Sequence, residues 1–315
     1  MLIKSNSYDL SELIEKISAV VDSHRLEREG SYARWLWELE GEDRKLGQNE
    51  YGCADAANIL YTLGNFPRDT KKRLEWVDVL QGMQNPEDGL YVEGTHYEIH
   101  TTAHCIAALE LFDAMPKYKL KGLEKYNCEG VYASLKITGE ATPEFESAYF
   151  NWLDEQQDEK TGFWKKDCAR LESDTPFFWH LAGSFHYLFN YEHAKRPIPY
   201  PEKMIDSCLS IYYDKIREEL CRHIGFAEID WVFCVNRAQR QSGYKFNQCR
   251  EAMISFAKEY FEYLLDLDTK TDDGINDLHM LFGVLCAIAE LQQAVPGLVK
   301  TPKPLKLVLD RRPFI

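Results

Sequence analysis

The sequence predicts an all-α chain of paired helices arranged as an α/α toroid around a central cavity. Three observations carry this expectation. Apolar residues recur with helical periodicity, two loops share one unusual pattern, and helices that are apolar inside but polar at their start return at spacings near 50 residues.

The helices follow in chain order. Leu10 to Val21 repeats apolar residues at 10, 13, 14, 17, 20 and 21, and Ala54 to Leu63 does so at 56, 59, 60 and 63. Thr101 to Phe112 is rich in Ala and Leu, and Ala252 to Leu267 and Asp277 to Leu291 continue the pattern. No useful length of β-branched residues alternates with polar ones, so strands are not expected.

Two loops punctuate these helices: LQGMQNPEDGLY, Leu80 to Tyr91, and WLDEQQDEKTGFW, Trp152 to Trp164. Each has an apolar helix end, a Gln, an acidic turn, a Gly and an aromatic. The Gly supplies a positive φ where the helix stops, and the Gln side chain satisfies free backbone groups at the turn. The aromatic then packs back over the helix end. LLDLDTKTDDGIND, from Leu264, keeps the acidic turn and Gly without the Gln and the aromatic.

The polar-headed helices begin at Gly52, Ile99, Ser173, Glu228 and Asn276. With Cys53, His100, Trp179, Trp231 and His279 as markers, the spacings are 47, 79, 52 and 48 residues. The longer gap has room for an extra hairpin around Lys117 to Ile137. Such repeats stack as an open array or close into a ring. Inner helices this apolar favour the ring, because an open array leaves its concave face in water. The expectation is a single toroid domain over 1–315, with 298–315 as an extended, Pro-broken tail along the outer surface.

Composition bounds the function. The chain has 315 residues, a formal charge of −14 and 45% hydrophobic residues. That excludes a disordered chain and argues against nucleic-acid binding, which needs a basic face. The N-terminus has no apolar core of signal-peptide length, and Leu278 to Leu291 is interrupted by His279 and Glu290, so no membrane span and a cytoplasmic location are expected. The nine cysteines include no CxxC pair and read as free, buried thiols rather than a disulfide framework. The acidic run EREGSYARWLWELEGED reads as a solvated face.

The two loops resemble the QW repeats of the terpenoid cyclase and protein prenyltransferase superfamily, in which Gln and a downstream aromatic after Gly tie successive helices together. The resemblance implies an α/α barrel with its cavity opening at the starts of the inner helices. In squalene-type cyclases a DxDD-like motif there protonates the substrate; here the corresponding stretch is ESDT, Glu172 to Thr175. The prenyltransferase zinc set of Asp, Cys and His has no residue-by-residue match.

If the inner helices start on one rim, Asp55, His100, His104, Asp174, His180, Glu228, Asp230, Asp277 and His279 converge on one pocket. Carboxylates and imidazoles in opposed environments serve as acid and base. Asp174 and Asp277 directly precede helices, which also suits capping. The expected catalytic set is Asp230, Asp174 and His279. Asp230 leads because Glu228 and Trp231 beside it raise a carboxyl pKa by like charge and burial. Trp179 and Trp231 are expected at the substrate with the remaining polar residues. His100 and His104 stand one turn apart as a metal pair would, but no HExxH glutamate and no cysteine supports them, so neither a metal nor a cofactor is expected.

The expected function is therefore acid–base catalysis in a central cavity, on a small-molecule substrate. The repeats point to a cyclase- or prenyltransferase-like enzyme acting on an isoprenoid. The polar residues point to a carbohydrate-active hydrolase, lyase or epimerase on a helical toroid. The non-enzymatic rival is a helical-repeat protein that binds a peptide or protein in its hollow.

Overall fold

A computed structural model describes residues 7–126, 129–164, 177–213 and 220–314. The chain is all-α, and its only sheet among the described residues pairs two strands of two residues each. No described helix is long and apolar enough to cross a membrane. None of the seven described cysteines is in a disulfide, and all seven are buried.

The helices are α1 (Ser11–Ser23), α2 (Glu50–Thr62), α3 (Thr70–Gly82), α4 (Glu98–Leu111), α5 (Glu129–Thr138), α6 (Pro143–Gln156), α7 (Phe177–Ala194), α8 (Pro201–Tyr213), α9 (Ala227–Ser242), α10 (Phe246–Asp266) and α11 (Leu278–Ala294). Each apolar period in the sequence falls on one of them. The expected extra hairpin corresponds to the short helix Lys121–Lys125 followed by α5.

The chain divides into two compact units. The first comprises Met1–Ile14, Glu144–Leu267 and Gly283–Pro302; the second comprises Glu15–Pro143, Asp268–Phe282 and Lys303–Ile315. In the first unit, α9 packs against α7, α8 and α10. Its interior holds the Arg237–Glu290 ion pair, with Nε to Oε1 at 2.7 Å and Nη2 to Oε2 at 2.9 Å. The parallel strands β1 (Tyr8–Asp9) and β2 (Val299–Lys300) also belong here, in the register Tyr8 to Val299 and Asp9 to Lys300. In the second unit, α2 packs against α3 and α4, and α4 against α5. Residues 298–315 are thus shared out: Val299–Lys300 pairs with Tyr8–Asp9 in the first unit, while in the second Lys306 N–H donates to Thr62 O at 2.9 Å.

The two repeated loops have the same local geometry. Gln84 Nε2 donates to Gly89 O at 2.8 Å, and Gln157 Nε2 donates to Gly162 O at 2.7 Å. Each Gln also holds the next segment. Gln84 Oε1 accepts Tyr118 N–H at 2.8 Å, and Gln157 Oε1 accepts Tyr200 N–H at 3.1 Å. Gly89 and Gly162 have φ of 81° and 70°, and a Cβ at either would meet backbone of the adjoining segment. Tyr91 and Trp164, two residues later, are buried, and their N–H groups donate to Thr102 Oγ1 and Ser184 Oγ, both at 2.9 Å. The pattern fixes where each helix hands over to the next.

Candidate functional site

The second unit gathers the densest group of ionisable side chains among the described residues. Asn49 starts α2: its Oδ1 accepts the N–H groups of Tyr51 at 2.9 Å and Gly52 at 3.2 Å. Gly52 lets α2 approach the Ala33–Arg34 backbone, where a Cβ would collide. Tyr51 and Asp55 lie one turn apart on α2, as His100 and His104 do on α4. The two helices run parallel in register, so each pair meets its counterpart. The Tyr51 hydroxyl donates to His100 Nδ1 at 2.6 Å, and His104 Nε2 donates to Asp55 Oδ1 at 2.8 Å.

The first turn of α11 closes the group. His279 Nδ1 lies 3.3 Å and 3.2 Å from Asp55 Oδ1 and Oδ2. Asp277, just before the helix, caps it by accepting His279 N–H at 2.9 Å. Asp277 also takes Arg34 Nε and Nη2 in a two-pronged contact, at 2.9 Å and 3.0 Å, and Trp35 Nε1 at 3.0 Å. Arg34 Nη1 turns to Thr95 Oγ1 at 2.9 Å and to Glu93 Oε1 at 3.5 Å. The Tyr51 ring lies in the middle of this group, with ring centroids 4.5 Å from His96, 4.9 Å from His104 and 4.5 Å from His279.

Burial opposes charge throughout, and the partners decide which groups keep it. Burial alone would raise the Asp55 carboxyl; His279 and His104 hold it well below the ordinary carboxylate range. Burial pushes His279 down to about 4 and lowers His104 as well, despite Asp55 beside both. At neutral pH an ionised Asp55 thus sits between two neutral imidazoles. Glu93 follows the same logic as Asp55. Burial works against its ionisation, but hydrogen bonds from His96 and Thr95 and the Arg34 charge bring it to about 2. Glu50 goes the other way: burial raises it, against the opposing pull of Lys45.

A pocket of about 540 Å³ opens beside this group in the same unit. It is lined by Trp35, Glu42, Asp43, Arg44, Lys45, Glu93, Gly94 and Thr95. Its walls are held by ion pairs: Arg44 Nη2 contacts Asp273 Oδ2 at 2.7 Å, and Lys45 contacts Glu50 at 3.5 Å. Glu93 and Thr95 link the wall to Arg34, and Arg34 links it to Asp277 and the imidazoles.

Of the residues expected at a site, Asp55, His100, His104, Asp277 and His279 come together here. His180, Glu228, Asp230 and Trp231 belong to the first unit. There Trp231 Nε1 donates to Cys208 O at 2.8 Å, and His223 Nδ1 donates to Glu228 Oε1 at 3.2 Å. His180 is buried in α7, and its carbonyl accepts the Ser184 hydroxyl at 2.6 Å. Asp230 is buried, and its Oδ1 has no hydrogen-bond partner among the described residues. Burial first, then the Glu228 charge, push its carboxyl well above the ordinary range. Trp179 lies in the first turn of α7, and Asp174 lies outside the described residues.

His100 and His104 turn to different partners: His100 faces Tyr51, and His104 joins Asp55 and His279. Asp277 caps α11, and it also anchors Arg34. One expectation needs correction. The run EREGSYARWLWELEGED is not simply a solvated face, because Gly30 to Trp35 is buried and carries Arg34 into the group. Arg34, Glu50 and Glu93 were missed by sequence reasoning. Glu93 had one usable signal, its place three residues before His96 in a Glu93–His96–His100–His104 series; Arg34 had none. No family model, no curated protein and no solved structure matches the chain.

Proposed function

We propose that the chain is an enzyme that acts on a small, hydroxyl-rich substrate of carbohydrate type, by acid–base chemistry in the pocket of the second unit. The observation that carries this reading is the pocket wall. Two cations and three carboxylates surround one tryptophan, which suits a substrate that offers many hydroxyl groups and one sugar face to stack. Glu93 belongs to the pocket lining and stays ionised, as a base or nucleophile must; its carboxylate is buried against Arg34, Asn49 and Thr95, so it reaches the pocket through Thr95. Glu50, behind Lys45, is pushed the opposite way and suits a proton donor. Carboxyl groups driven apart by their environments are the usual basis of such a division of roles.

The reading moves the chemistry from Asp230, the residue expected from sequence, to Glu93. Asp230 is buried in the first unit, whereas Glu93 belongs to the pocket lining of the second. The likeness of the repeated loops to the terpenoid cyclase and prenyltransferase superfamily remains part of the proposal as an architectural reading, together with the α/α-toroid arrangement. It does not extend to an isoprenoid substrate.

The test is a substrate panel of glycosides and oligosaccharides beside farnesyl diphosphate and squalene, with products read by mass spectrometry. Turnover of a sugar substrate is expected. Glu93→Gln should lower it by about 100-fold or more, in the range for loss of a reacting group, with the far-UV circular dichroism unchanged. Turnover of an isoprenoid alone, or a fully active Glu93→Gln variant, refutes the proposal.

A further inference from the structure

The geometry points to a site for one divalent transition-metal ion of the zinc class, bound by Asp55, His104 and His279 in the second unit. One ligand atom from each residue lies within 4.8 Å of the other two, and all three residues are buried. Zinc bonds of about 2.0–2.2 Å put neighbouring ligand atoms about 3.4 Å apart in a tetrahedron. From one oxygen, Asp55 Oδ1, the observed separations are 2.8 Å to His104 Nε2 and 3.3 Å to His279 Nδ1, so the ligand atoms need to spread by only a few tenths of an ångström to take the ion.

The ligands come from three different helices, α2, α4 and α11, so helix packing holds them together without help from a loop. Ring stacking by Tyr51 on His104 and its edge contact with His279 restrict how far either imidazole turns. The donor set selects the ion. Two imidazoles and one carboxylate suit zinc, iron or manganese, whereas magnesium and calcium favour shells of oxygen.

The His96 ring packs edge-on against that of His279, with centroids 5.1 Å apart, and His96 Nδ1 contacts Thr95 Oγ1, in the pocket wall, at 2.9 Å. Arg34 acts on His279 and Arg312 on His104 as opposing positive charges, and the Arg34 charge is answered by Asp277 and Glu93. The inference does not rest on the carbohydrate reading, because metal content and coordination are measured without turnover.

The test uses the full-length chain, stripped with a chelator and titrated calorimetrically with zinc chloride. Uptake of one Zn²⁺ per chain is expected, undisturbed by an equal concentration of Mg²⁺. His104→Gln and Asp55→Asn should each weaken binding by more than about 100-fold, since loss of a residue merely supporting a ligand already costs about 10–100-fold. Circular dichroism establishes that each variant is folded. Because a buried substitution can prevent folding, X-ray absorption on the zinc-loaded wild type provides a second measurement, with two imidazoles and an oxygen ligand expected. No uptake by the folded wild type, full binding by a folded variant, sulfur in the coordination shell, or displacement by Mg²⁺ each overturns the assignment.

Discussion

Replacing Trp164 by alanine tests the role of the second repeated loop, and the structure supplies the magnitude. The Trp164 side chain is 1% exposed. Its ring packs against Tyr187 and Tyr191, with centroids 5.8 Å and 5.4 Å away. Deleting a buried aromatic of this size costs about 3–5 kcal/mol through lost burial and the cavity left behind. The Nε1–H donates to Leu153 O at 2.9 Å, but that carbonyl also accepts Gln157 N–H at 3.0 Å. Losing the indole donor therefore leaves it half satisfied and adds only about 0.5–1 kcal/mol. The expected total is about 4 kcal/mol. Trp164→Phe keeps most of the ring and loses the donor, so it should cost about 1 kcal/mol. Both variants are compared with wild type by urea unfolding, followed by far-UV circular dichroism. With two compact units, the curve is first tested for more than one transition, and the shift is assigned to the transition that moves. A Trp164→Ala loss below about 1 kcal/mol, or equal losses for the two variants, would show that the ring is not what closes this loop.

The remaining predictions concern the first loop, the buried ion pair and the first unit's acids. Gln84→Ala removes the bonds to Gly89 O, Tyr118 O and Tyr118 N–H, and should cost about 2–3 kcal/mol in urea unfolding. Arg34→Met strands Asp277 and Glu93 without their cation and should cost about 3–5 kcal/mol, where an exposed ion pair would cost almost nothing. Asp230 sets a pH dependence of known sign. Its carboxyl is raised, so its contribution to stability is complete below its ordinary value of about 3.8 and is lost as pH rises through the raised value. Asp230→Asn should flatten the fall in urea midpoint as pH rises above about 4 and leave the variant the more stable at the upper end. A variant whose midpoint falls in parallel with wild type would assign the dependence to other groups.

The sequence by itself determined which segments are helices and how they are joined. Apolar periodicity is a local property, and it marked α1, α2, α4 and α11 to within four residues at each end, and α10 apart from its first six residues. The Gln–Gly–aromatic pattern is local as well, and both copies close through hydrogen bonds spanning five residues. The sequence also named Asp55, His104, Asp277 and His279 one at a time, as polar residues at the heads of apolar helices. Only the tertiary structure decided which of them meet. His279 reaches Asp55 across 224 positions, and Arg34 reaches Asp277 across 243. No local period encodes such a distance. Arg34 stood in an acidic, apparently solvated run, and only the packing of Gly30 to Trp35 against α2 carried it inside. Asp230 shows the same division. Its neighbour Glu228 foretold the smaller part of the raised carboxyl, whereas burial, the larger cause, comes from the packing of α9 against α7, α8 and α10. Short-range chemistry is written in neighbouring residues, whereas the composition of a site is set by helix packing between segments hundreds of residues apart.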